Sequence, residues 1–244
     1  MTAGVWTGTV SPLRGPAAGL LAQFAVLGGL TAAVGLGTTG WIAGTVYALA
    51  LGTLLARAMH RAGLRVFGPA NAVTLARATL IGGVTALVAD FQRTPVAVLV
   101  VLASVALVLD GVDGIVARRT GSSSPFGARF DGEVDAFLIL VLSVFVSFHL
   151  GWWVLAIGAF RYAFVAAGWH FAWLRNDLPV RYSRKTVAAV QGVVLVAAAS
   201  GVLPGVAAGV LVAGALAALV WSFGRDIAYL HRTYGAVPAA GGTA

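Results

Sequence analysis

Cysteine is absent from the 244-residue chain, and charge is scarce, with 10% of residues Asp, Glu, Lys or Arg, where a soluble domain runs to about 25%. The first absence excludes disulfides, thiolate metal sites and a cysteine nucleophile. The second excludes an ordinary soluble enzyme. Lysine is nearly missing too, Lys185 being the single one. No repeat of about 20 to 50 residues returns along the chain, which excludes solenoid and propeller architectures. The four histidines, His60, His149, His170 and His231, have no ligand spacing and read as interfacial or capping residues rather than a zinc site.

What the chain has in abundance is apolar sequence. Hydrophobic residues make up 59% of it and the mean hydropathy is +0.93. Apolar runs long enough to cross the ~30 Å bilayer core as helices recur along most of the length. They predict spans near 17–36, 39–58, 72–89, 95–113, 132–149, 152–174, 186–202 and 206–223. The fold expected is an all-α integral membrane protein of about eight transmembrane helices. Glycines in the first two spans, and the Gly205/Gly209 pair, read as positions of close helix packing.

The formal net charge of +8 needs no nucleic-acid partner, because the positive-inside rule accounts for it. In an eight-span arrangement most basic residues, from Arg14 to Arg232, fall on one side, which is then the cytoplasm. The opposite turns carry Asp90, Arg93, Trp152 and Trp153. The dominance of arginine over lysine suits a GC-rich bacterial genome, hence a bacterial plasma membrane.

Five of the eight acidic residues, Asp110, Asp113, Asp131, Glu133 and Asp135, lie in one short stretch. Asp110 and Asp113, at the end of one expected helix, share a helical face by their spacing, as do Asp131 and Asp135 at the start of the next. A connection holding Gly121, three serines and Pro125 lets the helices turn back. Four carboxylates then converge at a membrane edge. Glu133 points away from both neighbouring aspartates. Such a group requires protonation or a cation, and oxygen-only ligands favour Mg²⁺ or Mn²⁺. Two ions about 3.5 to 4 Å apart suit in-line displacement at phosphorus. Ion pairing with Arg118, Arg119 and Arg129 is the plainer reading, but acids at the membrane are costly and mark function. A cation transporter built on these carboxylates is an alternative from another class.

The chain resembles the CDP-alcohol phosphotransferase family. The family pattern Asp-x2-Asp-Gly-x2-Ala-Arg-x8-Gly-x3-Asp-x3-Asp is filled at Asp110, Asp113, Gly114, Ala117, Arg118, Gly127, Asp131 and Asp135. Upstream, Pro69, Asn71, Thr74 and Arg77 look like the polar entrance to the first helix of the family's six-helix core, with one residue inserted between Pro69 and Asn71. Downstream, Arg161, Lys185, Thr186 and Gln191 are similar to positions in the phosphatidyl-transferring branch.

The resemblance implies transfer of a substituted phosphoryl group from a CDP-linked alcohol, expected to be CDP-diacylglycerol, to an acceptor alcohol, with release of CMP, in phospholipid synthesis. A donor carrying another alcohol is the nearest alternative. Asp110, Asp113 and Asp131 are implied metal ligands, and Asp135 a general base that also ligates metal. Asp113, Gly114, Ala117, Arg118 and Thr74 are implied nucleotide contacts, and Gly127 a point of close backbone approach. Arg161, Arg181, Arg184 and Lys185 are candidate acceptor contacts, although a basic run at this place also anchors a helix at the membrane surface. The domain division expected is an accessory helix pair at 1–68, a core at 69–223 and a cytoplasmic tail at 224–244. Homodimers are common in the family.

Overall fold

The computed structural model describes residues 14–64, 67–122, 124–176 and 182–234. They form α1 (Arg14–Val34), α2 (Thr38–Arg61), α3 (Pro69–Ala89), α4 (Val96–Thr120), α5 (Pro125–Leu150), α6 (Leu155–His170), α7 (Tyr182–Ala199) and α8 (Gly205–Tyr234). Short 3₁₀ turns cover Trp152–Val154 and Ala172–Arg175, and no strand occurs among the described residues. The all-α membrane architecture expected from composition is what the chain adopts. Seven stretches among the described residues are long and apolar enough to cross a membrane, one of them Trp152–His170, which joins a 3₁₀ turn to α6; in α7 the apolar stretch, Thr186–Ala199, is shorter. At about 1.5 Å per residue that stretch covers roughly two thirds of a bilayer core.

Two boundaries differ from expectation in a way that matters for the acids. α4 runs on to Thr120 and α5 starts at Pro125, so only residues 121–124 turn the chain. The apolar run stops at the first aspartates, but Ala117, Arg118 and Arg119 are good helix formers, and the two arginines complement the helix dipole in its last turn. The helix ends where Gly121 takes φ +61°, and Ser122 N–H then donates to Ala117 O at 3.2 Å. The hydroxyl of Ser124 accepts from Gly127 N–H at 3.0 Å and Pro125 fills the first helical position, which starts α5. The paired acids therefore sit inside helices rather than at their ends.

The chain divides into two compact units, Met1–Asp135 and Ala136–Ala244, with the division inside α5. In the first, α3 is the central helix, packed by α1, α2 and α4. Its apolar window is 67% buried against 18% for α4. Small residues along α3 permit this approach from several sides. The Tyr47 hydroxyl of α2 donates to Ala78 O of α3 at 2.8 Å. At one end of the unit Asp90, which caps α3, accepts from Gly37 N–H at 2.7 Å and from the Thr39 hydroxyl at 3.0 Å, tying the α1–α2 turn to the end of α3. Elsewhere in the unit Leu55, Met59 and Leu75 are buried together, with Phe67, Phe126 and Phe130 packed against them.

In the second unit α7 packs on α8, and Phe223 of α8 meets Phe160 and Phe164 of α6 at ring-centroid distances of 5.4 and 5.5 Å. Gln191 of α7 is buried and donates from Nε2 to Ala215 O of α8 at 2.7 Å. The Gly205/Gly209 pair departs from expectation. A Cβ on either glycine would meet no atom within 4 Å, so this face of α8 is open among the described residues. Gly44 does mark close packing, a Cβ there falling 2.5 Å from Leu27 Cδ2.

Candidate active site

The site grows from three helix faces of the first unit. On α3, Asn71, Thr74 and Arg77 follow one another at three-residue spacing and therefore share a face, and all three are buried. On α5, Gly127, Asp131 and Asp135 repeat at four-residue spacing. On α4, Ala106, Asp110 and Gly114 do the same.

At Gly127 α5 comes close to α3. A Cβ at that position would stand 2.7 Å from Asn71 Oδ1 and 3.2 Å from Ser124 Oγ. One and two turns further along α5, Asp131 and Asp135 reach Arg77. The guanidinium Nη1 pairs with Asp110 Oδ1 at 3.0 Å and with Asp131 Oδ1 at 2.6 Å, Nη2 pairs with Asp135 Oδ1, and Nε donates to Ala106 O at 3.2 Å. One arginine thus links α3 to both acid-bearing helices. It has no solvent exposure, whereas the Asp110, Asp131 and Asp135 side chains are 42%, 34% and 34% exposed. The cation lies on the protein side of the cluster and the carboxylates keep accessible surface.

One carboxylate oxygen each from Asp110, Asp131 and Asp135 lies within 4.8 Å of the others. Three hard oxygen donors at that separation, partly open to solvent, fit a divalent ion such as Mg²⁺ or Mn²⁺ that keeps part of its shell for water or substrate. No softer donor is among them, which disfavours zinc or copper. The donor set therefore fits the metal expected from the sequence, with Asp110, Asp131 and Asp135 as the residues brought together.

The Asp113 side chain lies outside the described residues. Gly114 and Ala117 are half-buried and Arg118 exposed on α4. Among the described residues a Cβ on Gly114 would meet only Arg118 Nη1, at 3.4 Å. Thr74 is 3% exposed, and its hydroxyl donates to Ala70 O at 3.2 Å. Glu133 is exposed, in keeping with its spacing from the two aspartates. Arg161 is half-buried on α6 of the second unit. Arg181 and the side chains of Arg184 and Lys185 lie outside the described residues.

The residue that sequence reasoning undervalued is Arg77. It was visible as a lone arginine in an apolar helix, a position that normally seeks a partner or a cavity. Nothing in the spacing linked it to acids on two later helices. Asn71 was likewise visible only as part of a polar helix entrance.

The sequence model of the CDP-alcohol phosphatidyltransferase family matches residues 67–221. That span takes in α3 to α7 and most of α8, and leaves α1 and α2 outside. No curated protein and no solved structure gives a match.

Proposed function

The chain belongs to the CDP-alcohol phosphatidyltransferase family, and from that premise we propose that it transfers a phosphatidyl group from CDP-diacylglycerol to an acceptor alcohol, releasing CMP. The observation that carries this reading is the convergence of Asp110, Asp131 and Asp135 within 4.8 Å in a multi-pass membrane protein. Family membership favours a transferase over the cation transporter that the acids alone also allow.

Asp110, Asp131 and Asp135, with Asp113, are the residues that would hold Mg²⁺ or Mn²⁺, which supplies charge neutralisation at the reacting phosphates and acidifies a nearby hydroxyl. Arg118 is a planar fork suited to a phosphate oxygen pair of the nucleotide. The small residues Gly114 and Ala117 leave the nucleotide room beside α4. Asp135 takes the proton of the acceptor hydroxyl on a carboxylate oxygen. The acceptor oxygen bonds to the phosphorus bearing the lipid, the bond from that phosphorus to the CMP oxygen breaks, and CMP leaves. Apolar helices around a polar cluster suit a donor with a nucleotide in water and acyl chains in the bilayer. The clustering of arginine on one side supports a cytoplasmic site. Residues 1–68 are read as accessory to a core at 69–223, and a homodimer is the expected assembly.

The test is a donor and acceptor screen with purified protein in detergent and Mg²⁺ or Mn²⁺, reading CMP and lipid product together. CMP and a new phospholipid in equal amounts with CDP-diacylglycerol support the proposal. Turnover only with CDP-linked small alcohols removes the phosphatidyl assignment, and no CMP from any donor removes the reaction.

A further inference from the structure

Three carboxylates whose oxygens lie within 4.8 Å of one another repel strongly when all are ionised. The protein answers with a cation of its own. Arg77 is wholly buried, and a guanidinium is tolerated there only when paired and hydrogen-bonded. Its Nε–H···O bond to Ala106 fixes the plane of the fork, and its two terminal nitrogens then meet carboxylates from α4 and α5. A lysine ammonium, a point charge on a flexible stem, would not reproduce that fork.

We propose that Arg77 is a positioning residue that holds Asp110, Asp131 and Asp135 converged before a metal arrives, and whose charge an incoming divalent ion must tolerate. The inference rests on the metal reading given above and deepens it. Affinity for metal is lowered by the resident charge, while the metal-free site stays assembled. A residue that merely braced α3 against α4 and α5 would affect stability alike with and without metal and would leave metal affinity unchanged or weakened.

The experiment uses the full chain in detergent at pH 8 without nucleotide. Mn²⁺ binding is read from the paramagnetic resonance of the free ion, and Tm is taken in EDTA and in saturating Mn²⁺. Arg77→Met is expected to bind Mn²⁺ at least ~10-fold more tightly than wild type, because a like charge at the site is gone. Its Tm is expected to fall in EDTA and to recover more on adding Mn²⁺ than that of wild type. Arg77→Lys, which keeps the charge, should bind Mn²⁺ within about threefold of wild type. Equal or weaker Mn²⁺ binding by Arg77→Met, or Arg77→Lys matching Arg77→Met, overturns the inference.

If Arg77→Met does not assemble, wild type decides. A Tm in EDTA less than ~10 °C below that in Mn²⁺ supports Arg77 as the element that holds the cluster, and a larger drop overturns it. Asp131→Asn separates the two claims. Wild type that binds no Mn²⁺, or binds it as Asp131→Asn does, removes the metal reading itself, whereas an untightened Arg77→Met removes only the role given to Arg77.

Discussion

Gly127 of α5 lies so close to Asn71 of α3 that a Cβ on the glycine would stand 2.7 Å from Asn71 Oδ1. Asn71 is 6% exposed and so has little room to retreat. The contact sets how near α5 comes to α3, and Asp131 and Asp135 lie on the same face of α5 one and two turns on. Gly127→Ala is expected to cost about 1–3 kcal/mol of stability through overpacking, and to lower CMP release at least ~10-fold if it shifts the aspartates. Asn71→Ala in the same chain should restore much of the Tm. Thermal unfolding of the two single variants and the double variant checks this, and additive losses would show that the two residues do not share the contact.

α1 meets α3 through an unusual pair. Gln23 of α1 is 1% exposed, and its amide has no hydrogen-bond partner among the described residues. A Cβ on Gly82 of α3 would fall 2.2 Å from its Oε1. Gly82→Ala is expected to destabilise by about 1–3 kcal/mol. Gln23→Met removes an unsatisfied amide at similar volume and should raise stability by about 1 kcal/mol. Opposite Tm shifts in detergent are the result expected.

The basic run after residue 180 supports a third prediction. If Arg184 and Lys185 bind a phosphorylated acceptor, their joint replacement by alanine should raise the KM for that acceptor by ~10-fold or more while changing the KM for the CDP-alcohol far less. Equal changes in the two KM values would return the run to a membrane anchor.

How far the sequence reached can be seen residue by residue. The two acid pairs were legible because helical spacing puts chemically linked side chains on one face, Gly114, Ala117, Arg118 and Gly127 were legible through the resemblance to the family pattern alone, and the structure brings Asp110, Asp131 and Asp135 together. The extents of α4 and α5 were not, because an apolar run ends at the first charge while a helix of alanine and arginine continues to a glycine. The centrality of Arg77 was hidden for another reason. Its partners lie on two later helices, and only the packing of α3 against α4 and the return of α5 reveal the link. A small-residue motif records the possibility of close packing and not its occurrence, and among the described residues nothing packs on the Gly205/Gly209 face.

The central claim is that this carboxylate cluster performs phosphatidyl transfer, and its most direct measurement is CMP release from CDP-diacylglycerol by wild type, Asp131→Asn and Asp135→Asn with Mg²⁺ and the best acceptor. Each variant keeps the shape of the side chain and removes its charge. Wild type should release CMP, stop on adding EDTA and resume with Mn²⁺, while both variants lose at least ~10³-fold with their assembly intact. Either variant turning over within about tenfold of wild type would contradict the assignment of the reaction to these residues.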